Sequence, residues 1–103
     1  MAGRKPPILW SSEAETDLAD IWNYYAGVAG HNVADTMIRN IGEACRILED
    51  HPLGGRSRDE IRSGLRSVVT SPYVIFYRVN NDTAEIVRVL DGRRDIEEIF
   101  SGD

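Results

Sequence analysis

Proton-moving chemistry in this chain would have to be built from few side chains. Lys5 is the single lysine, His31 and His51 are the two histidines, Cys45 is the single cysteine, and neither lysine nor histidine follows position 51. In-line cleavage of a phosphodiester needs one group to take a proton, another to protonate the leaving oxygen, and cations on the phosphate. The arginines can supply the cations, but a guanidinium stays protonated and is a poor base. Tyr73 and Tyr77, phenols that ordinarily titrate near ~10, are weak candidates and read more simply as strand residues. Glu60 and Glu85 are further candidates that nothing else in the sequence supports. Ser-His-Asp sets, phosphate-binding glycine loops and paired-carboxylate spacings do not rise above chance. The scattered Cys45, His31 and His51 make no metal-ligand spacing, and no cofactor is expected.

The chemistry that does fit is recognition, and charge bounds its partners. The formal net charge is -5, whereas a chain that lives on nucleic acid is usually basic. The balance is uneven. Residues 1–53 hold four Lys/Arg against eight Asp/Glu, residues 54–94 hold eight Arg against five Asp/Glu, and residues 95–103 hold four acids and no base. The middle region is therefore net +3 between acidic flanks. Two readings stay open: arginines solubilising strand faces, or a basic face for an acidic partner segment.

These residues must be positioned by a sheet. Residues 65–95 read as three strands, 65–70, 73–79 and 83–90, rich in β-branched and aromatic residues at period two. Ser71-Pro72 and Asn80-Asn81-Asp82 are suitable turns. In the third strand, Ala84, Ile86, Arg88 and Leu90 are expected on one face and Glu85, Val87 and Val89 on the other. The middle strand is apolar on both faces, so it belongs inside the sheet. Helices can cover one of those faces, and the other is expected to take a partner.

Upstream, residues 1–7 form an extended arm and residues 8–10 a short strand. Ser12-x-x-Glu15 fits a capping box opening a helix over 13–29, with Ala14, Leu18, Ile21, Trp22 and Tyr25 on its apolar stripe. Asp17, Asp20 and Asn23 are expected to face away. Gly30-His31 closes it, and Asn32 caps a second helix over 33–50 with Ala34, Met37, Ile38, Ile41, Ala44, Cys45 and Leu48 on one face. The link is short enough to force an antiparallel hairpin. Residues 56–64 are a polar loop with one helical turn at 59–62, and residues 96–100 a short amphipathic turn.

The fold class is thus α+β in the order β-α-α-β-β-β, with a helical hairpin on one face of a small, mainly antiparallel sheet and a short C-terminal helical turn. At 103 residues the chain is expected to be a single domain, 1–103. It has no run near the ~20 apolar residues of a membrane span, and residues 1–10, with two basic residues but no apolar core, are not expected to be a secretory signal. The lone cysteine fits a reducing cytoplasm.

Five segments carry a resemblance: Ser12-x-Ala14-x-x-Asp17-Leu18-x-x-Ile21-Trp22-x-Tyr24, Pro52-x-x-Gly55-Arg56, Gly64-Leu65-Arg66-Ser67, Tyr73-x-Ile75-Phe76-Tyr77-Arg78, and Ile86-x-Arg88-Val89-Leu90-x-Gly92-x-Arg94-Asp95. In order and spacing, over about residues 8–100, the chain resembles the ParE toxins of the RelE/ParE superfamily. The resemblance implies a cytoplasmic growth-inhibiting toxin of a type II toxin–antitoxin operon. Its target would be DNA gyrase, and a ParD-like ribbon-helix-helix antitoxin would neutralise it in a heterotetramer or larger complex. Operator DNA would be met only through the antitoxin. A non-catalytic binder is the reading the side chains favour. A ribosome-dependent messenger-RNA endoribonuclease of the RelE type and a non-toxic corepressor are the alternatives.

Candidate antitoxin contacts are Trp22, Tyr25, Arg66, Tyr73, Arg78 and Arg88. Trp22 and Tyr25 read otherwise as core, and the arginines as solvated or internally paired. If registers align, Arg66, Arg78 and Arg88 make a positive stripe across the sheet, suited to carboxylates. Candidate target contacts are Arg93, Arg94, Ile99 and Phe100. Arg94-Asp95 reads otherwise as a salt-bridged turn, and Ile99 and Phe100 as cover for the core edge.

Overall fold

A computed structural model describes residues 7–102. The expectation for an extended arm at 1–7 therefore lies almost wholly outside the described residues. Eight elements follow in order: β1 (Leu9–Trp10), α1 (Ser12–Ala29), α2 (His31–Asp50), β2 (Arg56–Ser57), β3 (Arg66–Thr70), β4 (Tyr73–Asn80), β5 (Thr83–Asp91) and α3 (Ile96–Ser101). The five strands form one sheet in the order β1-β5-β4-β3-β2. β1 runs parallel to β5, and every other pair is antiparallel. The doubly apolar β4 is the central strand, as its composition requires.

Helix–sheet packing follows the two stripes. Ala14 and Ile21 of α1, and Ile41, Cys45 and Leu48 of α2, bury against Tyr73, Ile75, Tyr77, Ala84, Ile86 and Val89. Each fully buried aliphatic side chain there contributes roughly 1.5–3 kcal/mol. α1 lies over β5 and α2 over β3. Gly30 alone links the helices, at φ +95, a left-handed backbone that favours glycine. Helix α2 consequently starts at His31 with no side-chain cap, not at Val33 behind an Asn32 cap. Helix α1 is capped one residue earlier than the capping-box reading: Ser11 Oγ, not Ser12, accepts from the Ala14 amide at 3.0 Å. Ser11 also donates to the Val87 carbonyl at 2.9 Å, which ties the helix start to the sheet and decides between adjacent serines.

The β4–β5 hairpin turns through Asn81 (φ 51) and Asp82 (φ 63), the two left-handed positions that a primed two-residue turn demands. Farther along, strict alternation in β5 fails. Phe76 pairs Arg88 while Tyr77 pairs Ile86, leaving Val87 as the extra residue of a bulge. Val89 therefore joins Ala84 and Ile86 beneath the helices, and Leu90 moves to the opposite face. The expected grouping of Leu90 with Ala84 and Ile86 is corrected accordingly.

The opposite face is not left open for a partner throughout. Leu65, Phe76, Leu90 and Phe100 form a second buried cluster, flanked by Ile61, Val74 and Ile96. Phe100 of α3 meets Phe76 edge-on, ring centroids 5.1 Å apart. Asp95 caps α3 by accepting from the Glu98 amide. The loop expected over 56–64 contains a strand, β2, whose two exposed residues pair with Arg66 and Ser67.

Candidate functional surfaces

The arginines are distributed by strand register. Arg66 pairs Tyr77 and so sits on the helix side of the sheet, whereas Arg78 and Arg88 project from the other side, opposite Glu85 and Phe76. The expected three-arginine stripe therefore does not form. Each of the three is engaged within the chain. Arg66 Nη1 donates to the carbonyls of Leu53 (3.0 Å) and Gly55 (2.8 Å), fastening the helix-to-sheet loop. The Gly55 amide in turn donates to the Tyr77 hydroxyl at 2.8 Å. A Cβ on Gly55 would lie 2.5 Å from that oxygen and 2.8 Å from the Ser67 carbonyl, so only glycine fits this approach.

Arg88 holds the most buried charge pair among the described residues. Its Nε and Nη2 donate to the two oxygens of Asp17 at 2.8 and 3.0 Å, and the Val89 amide donates to Asp17 Oδ2 at 2.8 Å. Asp17 is 9% exposed, so its expected outward orientation on α1 is corrected. A carboxylate with three charge-assisted or backbone donors tolerates burial that a bare one would not. The spacing does carry a signal: position 17 is three after Ala14 and four before Ile21, on the buried stripe.

Arg78 and Arg88 share a cleft of about 190 Å³ with Glu13, Arg62, Glu85, Ile99 and Phe100. Arg78 Nε donates to Glu85 Oε1 at 2.8 Å. Arg62 donates to the Phe100 carbonyl at 2.8 Å, and its guanidinium lies 5.1 Å over the Phe100 ring. One candidate antitoxin pair and one candidate target pair are thus brought together here, with Phe100 only 6% exposed. Its lining combines arginine and glutamate with Val87, Ile99 and Phe100, and among the described residues no histidine, cysteine or tyrosine lines it.

A second group lies where β4 begins and β5 ends. Tyr24, 61% exposed, meets Tyr25 edge-on at 5.1 Å. Tyr25 packs against the helix-side core. Arg93 Nε and Nη2 donate to Asp91 at 3.0 and 2.7 Å. The ion pair of this turn is therefore Arg93–Asp91, while Asp95 caps α3, which corrects the Arg94–Asp95 expectation. Hydrogen bonds from Arg93 hold the Asp91 carboxyl down at about 2. Burial, reinforced by the Tyr25 hydroxyl, pushes the Tyr73 phenol above its usual range. Trp22 belongs to neither group: its Nε1 donates to Asp35 at 2.9 Å and its ring lies 5.1 Å from His31, bridging the two helices.

Burial raises the phenol of Tyr77 as well as that of Tyr73, and raises the Cys45 thiol to about 12. Among the described residues no three His, Cys, Asp or Glu side chains are grouped to hold a metal. No described helix is long and apolar enough to cross a membrane.

Comparison with known proteins places the chain. Residues 8–96 match the family model described as ParE toxin of type II toxin-antitoxin system, parDE. The chain is similar to Toxin ParE1 of Caulobacter vibrioides, with 33% identity over 84 residues, covering 82% of this chain and 86% of that protein. It is also similar to Toxin ParE3 of the same organism, with 34% identity over 67 residues, covering 65% of this chain and 67% of that one. Among solved structures, the chromosomal ParDE TA system from P. aeruginosa has the same fold, with TM-score 0.74 and 22% identity, covering 84% of this chain and 96% of that one.

Proposed function

The chain belongs to the ParE toxin family of type II toxin–antitoxin systems, and on that premise we propose that it arrests growth by binding DNA gyrase in the bacterial cytoplasm, while a ParD-like antitoxin holds it inactive. The mode of action is binding, not catalysis. The observation that carries this reading is the commitment of the cleft residues. Arg78 is bonded to Glu85 and Arg88 to Asp17, and among the described residues that line the cleft there is no histidine, cysteine or tyrosine. A RelE-type nuclease would have to work from that cleft with glutamates alone as proton carriers.

The antitoxin grip is proposed on the α2–β3 flank. β2 pairs with only Arg66 and Ser67, so residues 68–70 of β3 have an outer edge open for strand addition. Val69, 68% exposed, stands on this edge; it pairs Val74 and so projects from the face away from the helices. Arg78, more than half exposed, is the arginine of the candidate set best placed to exchange its internal partner for an antitoxin carboxylate. The complex is a heterotetramer built on an antitoxin dimer, which contacts operator DNA. The test is a supercoiling assay with purified chain, gyrase and antitoxin. Inhibition that antitoxin reverses is expected; full supercoiling at saturating chain would refute the gyrase reading.

A further inference from the structure

We propose that Tyr24, Tyr25 and Arg93 form a second protein-docking surface, two strands away from the antitoxin edge, which receives a carboxylate-bearing apolar segment of the toxin's target. The proposal rests on the toxin reading above and reassigns Tyr25 from the antitoxin to the target.

Three observations carry it. The first is composition on a rigid base. Tyrosine and arginine are the residue types that dominate binding hot spots, and here an exposed Tyr24 ring stands edge-on against Tyr25, itself anchored in the helix-side core. Tyrosines held this way lose little freedom when a partner arrives. The second is a displayed guanidinium. The Arg93 side chain is 85% exposed, yet two bonds to Asp91 fix its orientation, and the Arg93 amide donates to the same carboxylate at 2.9 Å. A guanidinium has five N–H donors in a planar fork; those not spent on Asp91 point outward. Arg94, the next residue, offsets Asp95, so residues 91–95 carry two positive and two negative charges.

The third observation selects the class of partner. Asp20 lies one helical turn before Tyr24, and Asp91 and Asp95 flank the arginines. With the chain's net charge of -5, this neighbourhood disfavours a nucleic-acid strand, which brings a phosphate at every nucleotide. A peptide segment with one carboxylate beside apolar side chains satisfies both the fork and the rings. The surface and the open edge share one end of the sheet, where Thr70 pairs Tyr73 and Tyr73 pairs Asp91, but they sit two strands apart, on β5 under α1 and on β3 under α2.

The experiment pairs Tyr24→Ala with Arg93→Glu in one chain, both at exposed positions, and adds Arg93→Lys as a variant that keeps the charge and loses the fork. Growth arrest on induction, inhibition of gyrase supercoiling, the antitoxin Kd and binding of a duplex oligonucleotide are measured. The expected result is a loss of roughly tenfold or more in growth arrest and in gyrase inhibition for the double variant, an intermediate loss for Arg93→Lys, and an antitoxin Kd within about twofold of the parent. Undiminished growth arrest by the double variant overturns the inference. So does an antitoxin Kd weakened as much as toxicity, which would make this an antitoxin surface, or oligonucleotide binding that the double variant abolishes. If the parent chain arrests growth without touching gyrase, the gyrase reading fails, and the growth data alone then decide the surface. If the parent does not arrest growth at all, the toxin reading fails and the inference with it.

Discussion

Replacing Asp17 by Asn would remove the charge from the most buried carboxylate described in this chain while preserving its shape. The amide oxygen can still accept from the Val89 N–H, but the adjacent NH2 presents hydrogens to a guanidinium that previously met an anionic oxygen. Breaking a buried ion pair by removing one partner costs ~3–5 kcal/mol. Arg88 keeps 27% of its side chain in solvent against 10% for Asp17, so part of that cost is relieved by hydration, and about 2–4 kcal/mol is expected. At this chain length each kcal/mol moves the thermal midpoint by roughly 4–8 °C. Asp17→Ala should cost a further ~1–3 kcal/mol, because the Val89 amide then loses its acceptor as well. Urea titration followed by tryptophan fluorescence reads both variants, and repeating it in high salt separates this pair from a screened surface pair. A loss under about 0.5 kcal/mol for Asp17→Asn, or one that high salt erases, would refute the view that this contact fastens α1 to β5.

Other expectations test the local chemistry. Ser11→Ala should destabilise by ~0.5–2 kcal/mol as loss of a helix cap, while Ser12→Ala should stay within ~0.5 kcal/mol; the reverse order in thermal melts would restore the capping box. Gly55→Ala should cost about 1–3 kcal/mol by overpacking against Tyr77, and Tyr77→Phe in the same chain should recover part of the steric loss, which a double-mutant cycle measures. Burial holds the Cys45 thiol protonated to about 12, against 9.0 ordinarily. The stability this confers is therefore complete below the ordinary value and is lost as pH climbs through that window. At pH 8, Cys45 should resist a thiol reagent in the native chain and react on unfolding.

Periodic features of the fold were legible in the sequence. Both helical stripes and the three-strand meander are repeats of apolar residues, and apolar burial is what assembles them. Features set by single contacts were not. β2 is an Arg-Ser pair with no pattern, created by its pairing with Arg66 and Ser67. Adjacent serines compete for the α1 cap, and only the Val87 carbonyl distinguishes them. A charged side chain such as Asp17 ordinarily implies exposure, but its partner lies 71 residues away on a strand. The bulge at Val87 exchanges the faces of Val89 and Leu90, which no alternation rule anticipates. The candidate surface residues were the right types, but register parts them: Arg78 and Arg88 in the cleft, Tyr25 and Tyr73 by Arg93, Arg66 in a loop fastening.

The two flanks of the sheet differ in what they offer another backbone. Beside β5, the Ser11 amide donates to the Ile86 carbonyl at 2.9 Å, Ser11 Oγ donates to the Val87 carbonyl, and Asp17 accepts from the Val89 amide. Past the end of β1, side chains thus occupy the sites a neighbouring strand would use. End-to-end growth of sheets into a fibre needs two sticky borders per molecule. Where Ser11 and Asp17 hold residues 86–89 of β5, a visiting strand finds those backbone groups already taken. The short contact between an N-terminal turn and the last strand therefore directs strand recruitment away from this stretch and toward the uncovered part of β3.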